Sequence, residues 1–189
     1  MRRALGITFS PMRMASLLLA LCVVADVAAV DAQTGWAHFV SPAGFTVSYP
    51  ASWRQLAGAS GTGITIMSSR AFAEGVGIAH GEAMISVIER NDSTHIGLDA
   101  LVQRDRGDDS VLVQRRLAAP RGSTGSCRQL TEVVLRSEMG PDTYEIDTDL
   151  YCEVHGRIFR ISLRNWEDDK HQAGYQSTAR RVAWSLRIP

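Results

Sequence analysis

Polar and apolar positions alternate most regularly between residues 127 and 164, where three runs are separated by turn signals. The first turn is Glu138-Met139-Gly140-Pro141. A hairpin symmetric about it pairs residues whose numbers sum to 279: Leu135 with Tyr144, Val133 with Ile146, Thr131 with Thr148, Gln129 with Leu150 and Cys127 with Cys152. This register gathers most apolar residues on one face and sets the cysteines directly across from each other, a spacing a disulfide can bridge. The second turn is His155-Gly156, where glycine supplies a positive φ. Pairs there sum to 311, which brings Phe159, Ile161 and Leu163 opposite Cys152, Leu150 and Thr148. The expectation is a three-stranded antiparallel meander with one buried face. The other face is expected to carry Glu132, Glu145, Asp147, Asp149 and Glu153, with Arg164 opposite Asp147 and Arg160 opposite Tyr151. Cross-strand ion pairing accounts for such a row more simply than a metal site does.

Beyond Asp168 and Asp169, which suit a helix N-terminus, Tyr175, Ala179, Val182 and Leu186 recur at spacings of four, three and four. That is one stripe of an amphipathic helix, which is expected to cover the apolar face of the meander with Trp184 at its edge. Upstream, Trp36 to Val40 and Phe45 to Tyr49 flank a Ser41-Pro42-Ala43-Gly44 turn and read as a hairpin stopped by Pro50. Ile64 to Ser68 and Ala83 to Glu89 read as strands, the second nearly continuous in apolar residues and so central. Leu98, Leu101 and Val102 mark a short helix ending near Gly107, and Val111 to Leu117 a further strand. The loops 57–63 and 73–82, rich in Gly and Ala, are expected to be mobile. Strands, a helix, more antiparallel strands and a final helix define an α+β layered domain.

Composition changes this picture at one end. The chain has 189 residues, 20 Lys plus Arg against 20 Asp plus Glu, and three cysteines. Zero net charge argues against a nucleic-acid or anionic-membrane partner, which calls for a basic excess. Arg2, Arg3 and Arg13 precede the uncharged run Ala15 to Ala25, too short for the roughly 20 residues of a membrane span but suited to a secretory signal. Val30 and Ala32 fit a cut after Ala32, and Met12 offers a second start. Leu21 before Cys22 disfavours lipidation, and the surroundings of Arg2 and Arg3 disfavour a twin-arginine signal. The expected organisation is a signal peptide over 1–32 and a single domain over 33–189, with 17 basic and 18 acidic residues. No membrane span is expected to remain after cleavage. Only Cys127 and Cys152 are left, an even number in an oxidising compartment, which points to a disulfide.

Two short motifs resemble a known group. Phe39-Val40-Ser41-Pro42-Ala43-Gly44-Phe45, running into Tyr49-Pro50-Ala51-Ser52-Trp53, is similar to the opening of PsbP-like domains, and Ala183-Trp184-Ser185-Leu186-Arg187-Ile188 is similar to the end of their last helix. The resemblance covers residues 36–189 in topology and implies an antiparallel β-sheet sandwiched by helices. The group includes an extrinsic subunit of photosystem II, a Ran-binding protein and bacterial DcrB-like envelope proteins, which mostly bind other proteins. Tyr49 and Trp53 would be core residues and Pro50 a strand stop. The cysteine pair lies outside that pattern.

The search for chemistry yields little. His38, His80, His95, His155 and His171 form no metal-ligand spacing. Gly58 to Gly63 lacks the Gly-Lys-Ser/Thr ending of a phosphate loop, and there is no Gly-x-Ser-x-Gly elbow. Helix capping explains Glu167, Asp168 and Asp169 better than a metal cluster does. No catalytic, cofactor-binding or metal-binding residue is assigned. The favoured function is an exported, periplasmic or secreted, non-enzymatic protein that binds another envelope protein through a sheet face or the 57–82 region. The alternative is a small secreted hydrolase centred on His80.

Overall fold

The computed structural model describes residues 30–31, 35–56, 62–68, 78–90, 96–107 and 109–189. The expected mobile loops fall largely outside the described residues, as do His95 and nearly all of the expected signal segment. The elements run β1 (Val30–Asp31), β2 (Trp36–Ser41), β3 (Phe45–Pro50), β4 (Arg54–Gln55), β5 (Ile64–Met67), β6 (Met84–Glu89), α1 (Leu98–Arg106), β7 (Ser110–Ala118), β8 (Gln129–Gly140), β9 (Thr143–Val154), β10 (Arg157–Trp166) and α2 (Gln172–Ser185). This is an α+β protein with two antiparallel sheets, a three-stranded one ordered β1-β2-β3 and a seven-stranded one ordered β4-β5-β6-β10-β9-β8-β7. Strand β1 consists of two residues that a cut after Ala32 would remove.

One face of the large sheet is covered side by side by the β2–β3 hairpin and α2. Phe45, Val47, Ile66, Ile85, Leu150, Ile161, Ala179 and Val182 belong to this single buried cluster. Fully burying a side chain of this size contributes about 1.5–3 kcal/mol, so the cluster is the main source of stability. The hairpin and α2 are tied together where Thr46 and Arg187 exchange backbone hydrogen bonds of 2.9 Å. Gly44 makes the hairpin turn with φ of 76°, a conformation that favours glycine. Strand β6 lies between β5 and β10, as its continuous apolar run requires.

The β9–β10 ladder has the expected register, with Arg160 opposite Tyr151 and Arg164 opposite Asp147. The β8–β9 ladder does not. Thr131 faces Tyr151 and Leu135 faces Asp147, so pairs sum to 282 instead of 279. Gly140 pairs with Thr143, which makes Pro141 and Asp142 the corner of the turn, and the register shifts between Glu138 and Gly140, leaving Met139 in a bulge. Proline has a preset φ and no N–H, so it favours the corner, and Asp tolerates the left-handed φ of 54° found at Asp142. The bulge then adds the extra residue on β8.

Because side chains alternate with a period of two, this odd slip turns β8 over. Val133 and Leu135 do not join the α2 face. They pack with Tyr151 against Leu101 and Val102 of α1 on the other side. The meander is therefore buried on both faces, not one. Glu132, expected among the acids of the outer face, points towards α2 and is fully buried. Cys127 is not in the ladder. It lies two residues before β8 and reaches Cys152 from beyond the strand end, with a Cα–Cα distance of 5.9 Å. The sulfurs are bonded all the same, closing a loop of 25 residues in sequence separation.

Candidate functional site

Three places gather side chains with chemical potential, beginning with His80. Its Nδ1 lies 3.2 Å from Asp168 Oδ1. Its ring stacks on Trp166 at 4.9 Å and 18°. Trp166 Nε1 donates to the Ile78 carbonyl at 2.7 Å, and the Tyr175 hydroxyl donates to the Gly81 carbonyl at 2.7 Å. These contacts strap the segment 78–82 onto the end of β10 and the start of α2. Beside them is a small cavity of about 240 Å³, lined by Asp142, Thr143, Tyr144 and Glu167 as well. Of its two hydroxyls, that of Thr143 donates to the Pro141 carbonyl, and among the described residues neither it nor that of Tyr144 hydrogen-bonds His80. Among the described residues no nucleophile is hydrogen-bonded to this His–Asp pair, the contact that acyl transfer needs. None of the three acids expected to cap α2 does so: the N-cap is His171, with no side-chain cap hydrogen bond, while Asp169 accepts the His171 N–H at 2.7 Å in the turn before the helix, Asp168 meets His80 and Glu167 meets Arg136.

The second place is the row of ion pairs on the α1 side of the meander. Arg160 forms two hydrogen bonds to Asp149, at 2.9 and 2.8 Å, and approaches Asp105 of α1 at 3.8 Å. Arg90 holds the same Asp105 at 2.7 Å, and the Tyr151 hydroxyl reaches it at 3.4 Å. Burial pushes the Tyr151 phenol up, reinforced by the Asp149 charge. Arg164 contacts Asp147 at 3.3 Å without an aligned hydrogen bond. Burial therefore raises Asp147 to about 6, against the opposing pull of Arg164. Asp105, Glu145, Asp147 and Asp149 each have an arginine beside them, so this part of the row joins α1 to the sheet as an ion-pair network, while Glu153 is exposed at its end.

The third place is a groove between α2, the β2–β3 hairpin and the loop 120–125, about 420 Å³, lined by Trp36, His38, Ser48, Arg181, Trp184 and Ser185, among others. It continues past Trp184 into a second hollow bordered by Arg121 and Arg180. The Arg181 guanidinium lies over the Trp36 ring, 4.0 Å from its centre. Ser48 Oγ and His38 Nδ1 are 3.0 Å apart. Among the described residues no carboxylate meets that imidazole, so the pair lacks the third group that orients a catalytic base. His38 and Ser48 are direct partners in the hairpin ladder. Counting outward from the Ser41–Gly44 turn would have placed them together from sequence; nothing local in the sequence brings Trp36 to Arg181.

At the far end of the large sheet is β7, whose outer edge carries no strand among the described residues. Of its nine residues only Leu117 is not exposed, and Val111, Leu112 and Val113 stand 38%, 51% and 37% open. The register shifts between Val111 and Val113, so Leu112 is bulged.

No protein-family model and no curated protein matches the sequence. The chain is similar to the solution structure of cyanobacterial PsbP (CyanoP) from Synechocystis sp. PCC 6803, with a TM-score of 0.47, 13% identity and coverage of 82% of this chain and 93% of that one. It is also similar to a crystal structure from Bacteroides thetaiotaomicron VPI-5482, with a TM-score of 0.46, 16% identity and coverage of 80% of this chain. The chain spans about half of that protein, 48% of its length.

Proposed function

We propose that this is an exported, non-enzymatic accessory protein that binds a partner protein by accepting an extended segment of that partner along β7. The observation that carries the reading is the exposed apolar edge strand. A long edge strand presents a row of unpaired N–H and C=O groups, and proteins ordinarily blunt such edges with charge, proline, bulges or cover. Here the first half of β7, Val111-Leu112-Val113, carries no charge or proline and, among the described residues, no covering strand; the bulge at Leu112 interrupts the edge only locally. Strand addition uses main-chain hydrogen bonds for affinity and alternate side chains for specificity. Export is supported by the Arg-flanked apolar run before residue 26 and by the cystine, since disulfides persist in oxidising compartments.

The test is site-specific photocrosslinking in intact cells from probes at position 112 and, as an exposed control, at position 139. A partner crosslinked from 112 but not 139, and lost in the Leu112→Lys, Val113→Lys double variant, supports the proposal. Equal recovery from both positions, or capture unaffected by the lysines, contradicts it.

A further inference from the structure

We infer that the Trp36–Arg181–Trp184 groove is a second binding site, specific for a short acidic peptide segment. It goes beyond the β7 reading and does not depend on it.

The argument begins with charge. Most arginines of the domain are neutralised within it: Arg90, Arg157, Arg160, Arg164 and Arg180 all meet carboxylates. Arg121 and Arg181 meet none among the described residues. Both border this groove, and no Asp or Glu is among its lining residues. Arg187, whose guanidinium hydrogen-bonds the lining residue Thr124 at 2.8 Å, adds a third cation nearby. Three of the basic side chains that meet no carboxylate among the described residues thus gather beside two tryptophans, whereas Arg54, Arg106, Arg128 and Lys170 are outside the groove's lining.

Geometry adds to this. The contact with the Trp36 ring positions the exposed Arg181 guanidinium, whose N–H donors meet no carboxylate among the described residues and so can take one in the two-pronged geometry that arginine favours. The hydroxyls of the groove are largely engaged internally: Ser185 Oγ donates to Val182 and Ser123 Oγ to Trp184, so they shape the walls. The wall formed by 120–126 is rigid. Ser126 N–H donates to the Leu186 carbonyl at 2.6 Å, Ile188 N–H donates to Ser126 Oγ at 3.0 Å, and the cystine at Cys127 anchors the next residue. A pre-formed groove lined by Trp and Arg matches the residue types enriched where proteins bind tightly. Its volume falls in the ordinary range of ligand sites. The partner is peptidic and not a membrane: of the four arginines around the groove Arg180 is spent on Glu132, which leaves three, fewer than the four to eight basic residues that lipid-surface binding draws on.

The test uses the full exported domain and a fluorescent peptide, acetyl-Glu-Asp-Phe-Glu-Glu, titrated at low and physiological salt. Salt-weakened binding is expected, reduced at least about tenfold by Arg181→Glu, and also reduced by Trp36→Phe and by Arg181→Lys, which keeps the charge but loses the planar fork. The Leu112→Lys, Val113→Lys variant should bind the peptide as the parent does, so failure here and failure at β7 are distinguishable. Absence of binding at millimolar peptide, affinity unchanged by Arg181→Glu, or tighter association with phosphatidylglycerol vesicles than with the peptide would each overturn the inference. Near-UV circular dichroism checks that each variant is folded.

Discussion

The Arg180 guanidinium reaches from helix α2 to Glu132 on β8, with its Nε 2.7 Å from a carboxylate oxygen that has no exposed surface. Arg115 of the neighbouring strand meets the other oxygen of the same group. Removing one partner of a buried pair leaves an uncompensated charge, whereas replacing both with apolar groups is often close to neutral. Arg180→Ala is therefore expected to lower unfolding free energy by about 2–4 kcal/mol, softened by Arg115. The Glu132→Met, Arg180→Met double variant should recover most of that loss in urea titrations. A double variant as unstable as the sum of its parts would show that the pair is not what makes the position costly.

The cystine closes a loop around the β8–β9 hairpin. In the chain-entropy model a loop of this length contributes about 3 kcal/mol. Replacing Cys127 and Cys152 together with serine should remove roughly that amount in urea titration, and somewhat more because both positions are buried in the core. Intact mass of the exported protein should be two hydrogens below the reduced value.

Asp147 makes stability depend on pH. Its folded value, about 6, is raised above the ordinary 3.8, chiefly by burial. Between those two values the folded state binds more protons than the unfolded state, so stability falls as pH rises through this window. The effect is on the order of 3 kcal/mol. Asp147→Asn should flatten this slope in melts at pH 4 to 7 and stabilise the protein at pH 7.5. Asp149→Asn, which breaks the two-pronged contact to Arg160, should destabilise it at every pH in that range.

Gly125 is packed so that an added Cβ would sit 2.0 Å from the Trp184 carbonyl oxygen, a backbone atom that cannot swing away. Gly125→Ala is expected to cost at least about 2 kcal/mol, in the upper part of the usual overpacking range. The same change should weaken peptide binding in the adjacent groove. An alanine variant with parental stability would mean that the loop 120–126 is not held against α2.

His80→Ala should leave hydrolysis of nitrophenyl ester substrates unchanged from the parent, and should increase amide exchange in the segment 78–82 that the His80–Trp166 stack holds down. Loss of a measurable hydrolytic activity in this variant would revive the catalytic reading.

Much of the architecture was legible because local signals agreed. Gly156, at φ of 76°, made one turn unambiguous, and the β9–β10 register followed residue by residue. The preceding hairpin was misread because Glu138-Met139-Gly140-Pro141 contains several turn-forming residues, and a symmetric turn centred there also aligned the cysteines. A bulge at Met139 leaves no period-two signature to read. The disulfide agreed with the wrong register because Cys127 precedes β8, where the ladder no longer constrains it. The functional surfaces were less visible. The Trp36–Arg181 stack joins residues 145 positions apart in sequence, and the openness of β7 depends on what lies beside it, which its own alternation does not encode.

The central claim is that β7 is a docking edge, and amide hydrogen exchange of the domain, alone and in complex with the partner captured from position 112, tests it most directly. Formation of intermolecular main-chain hydrogen bonds should slow exchange at alternate residues of 110–118, with the rest of the large sheet unchanged. Unaltered exchange along β7, with new protection elsewhere on the surface, would contradict the claim.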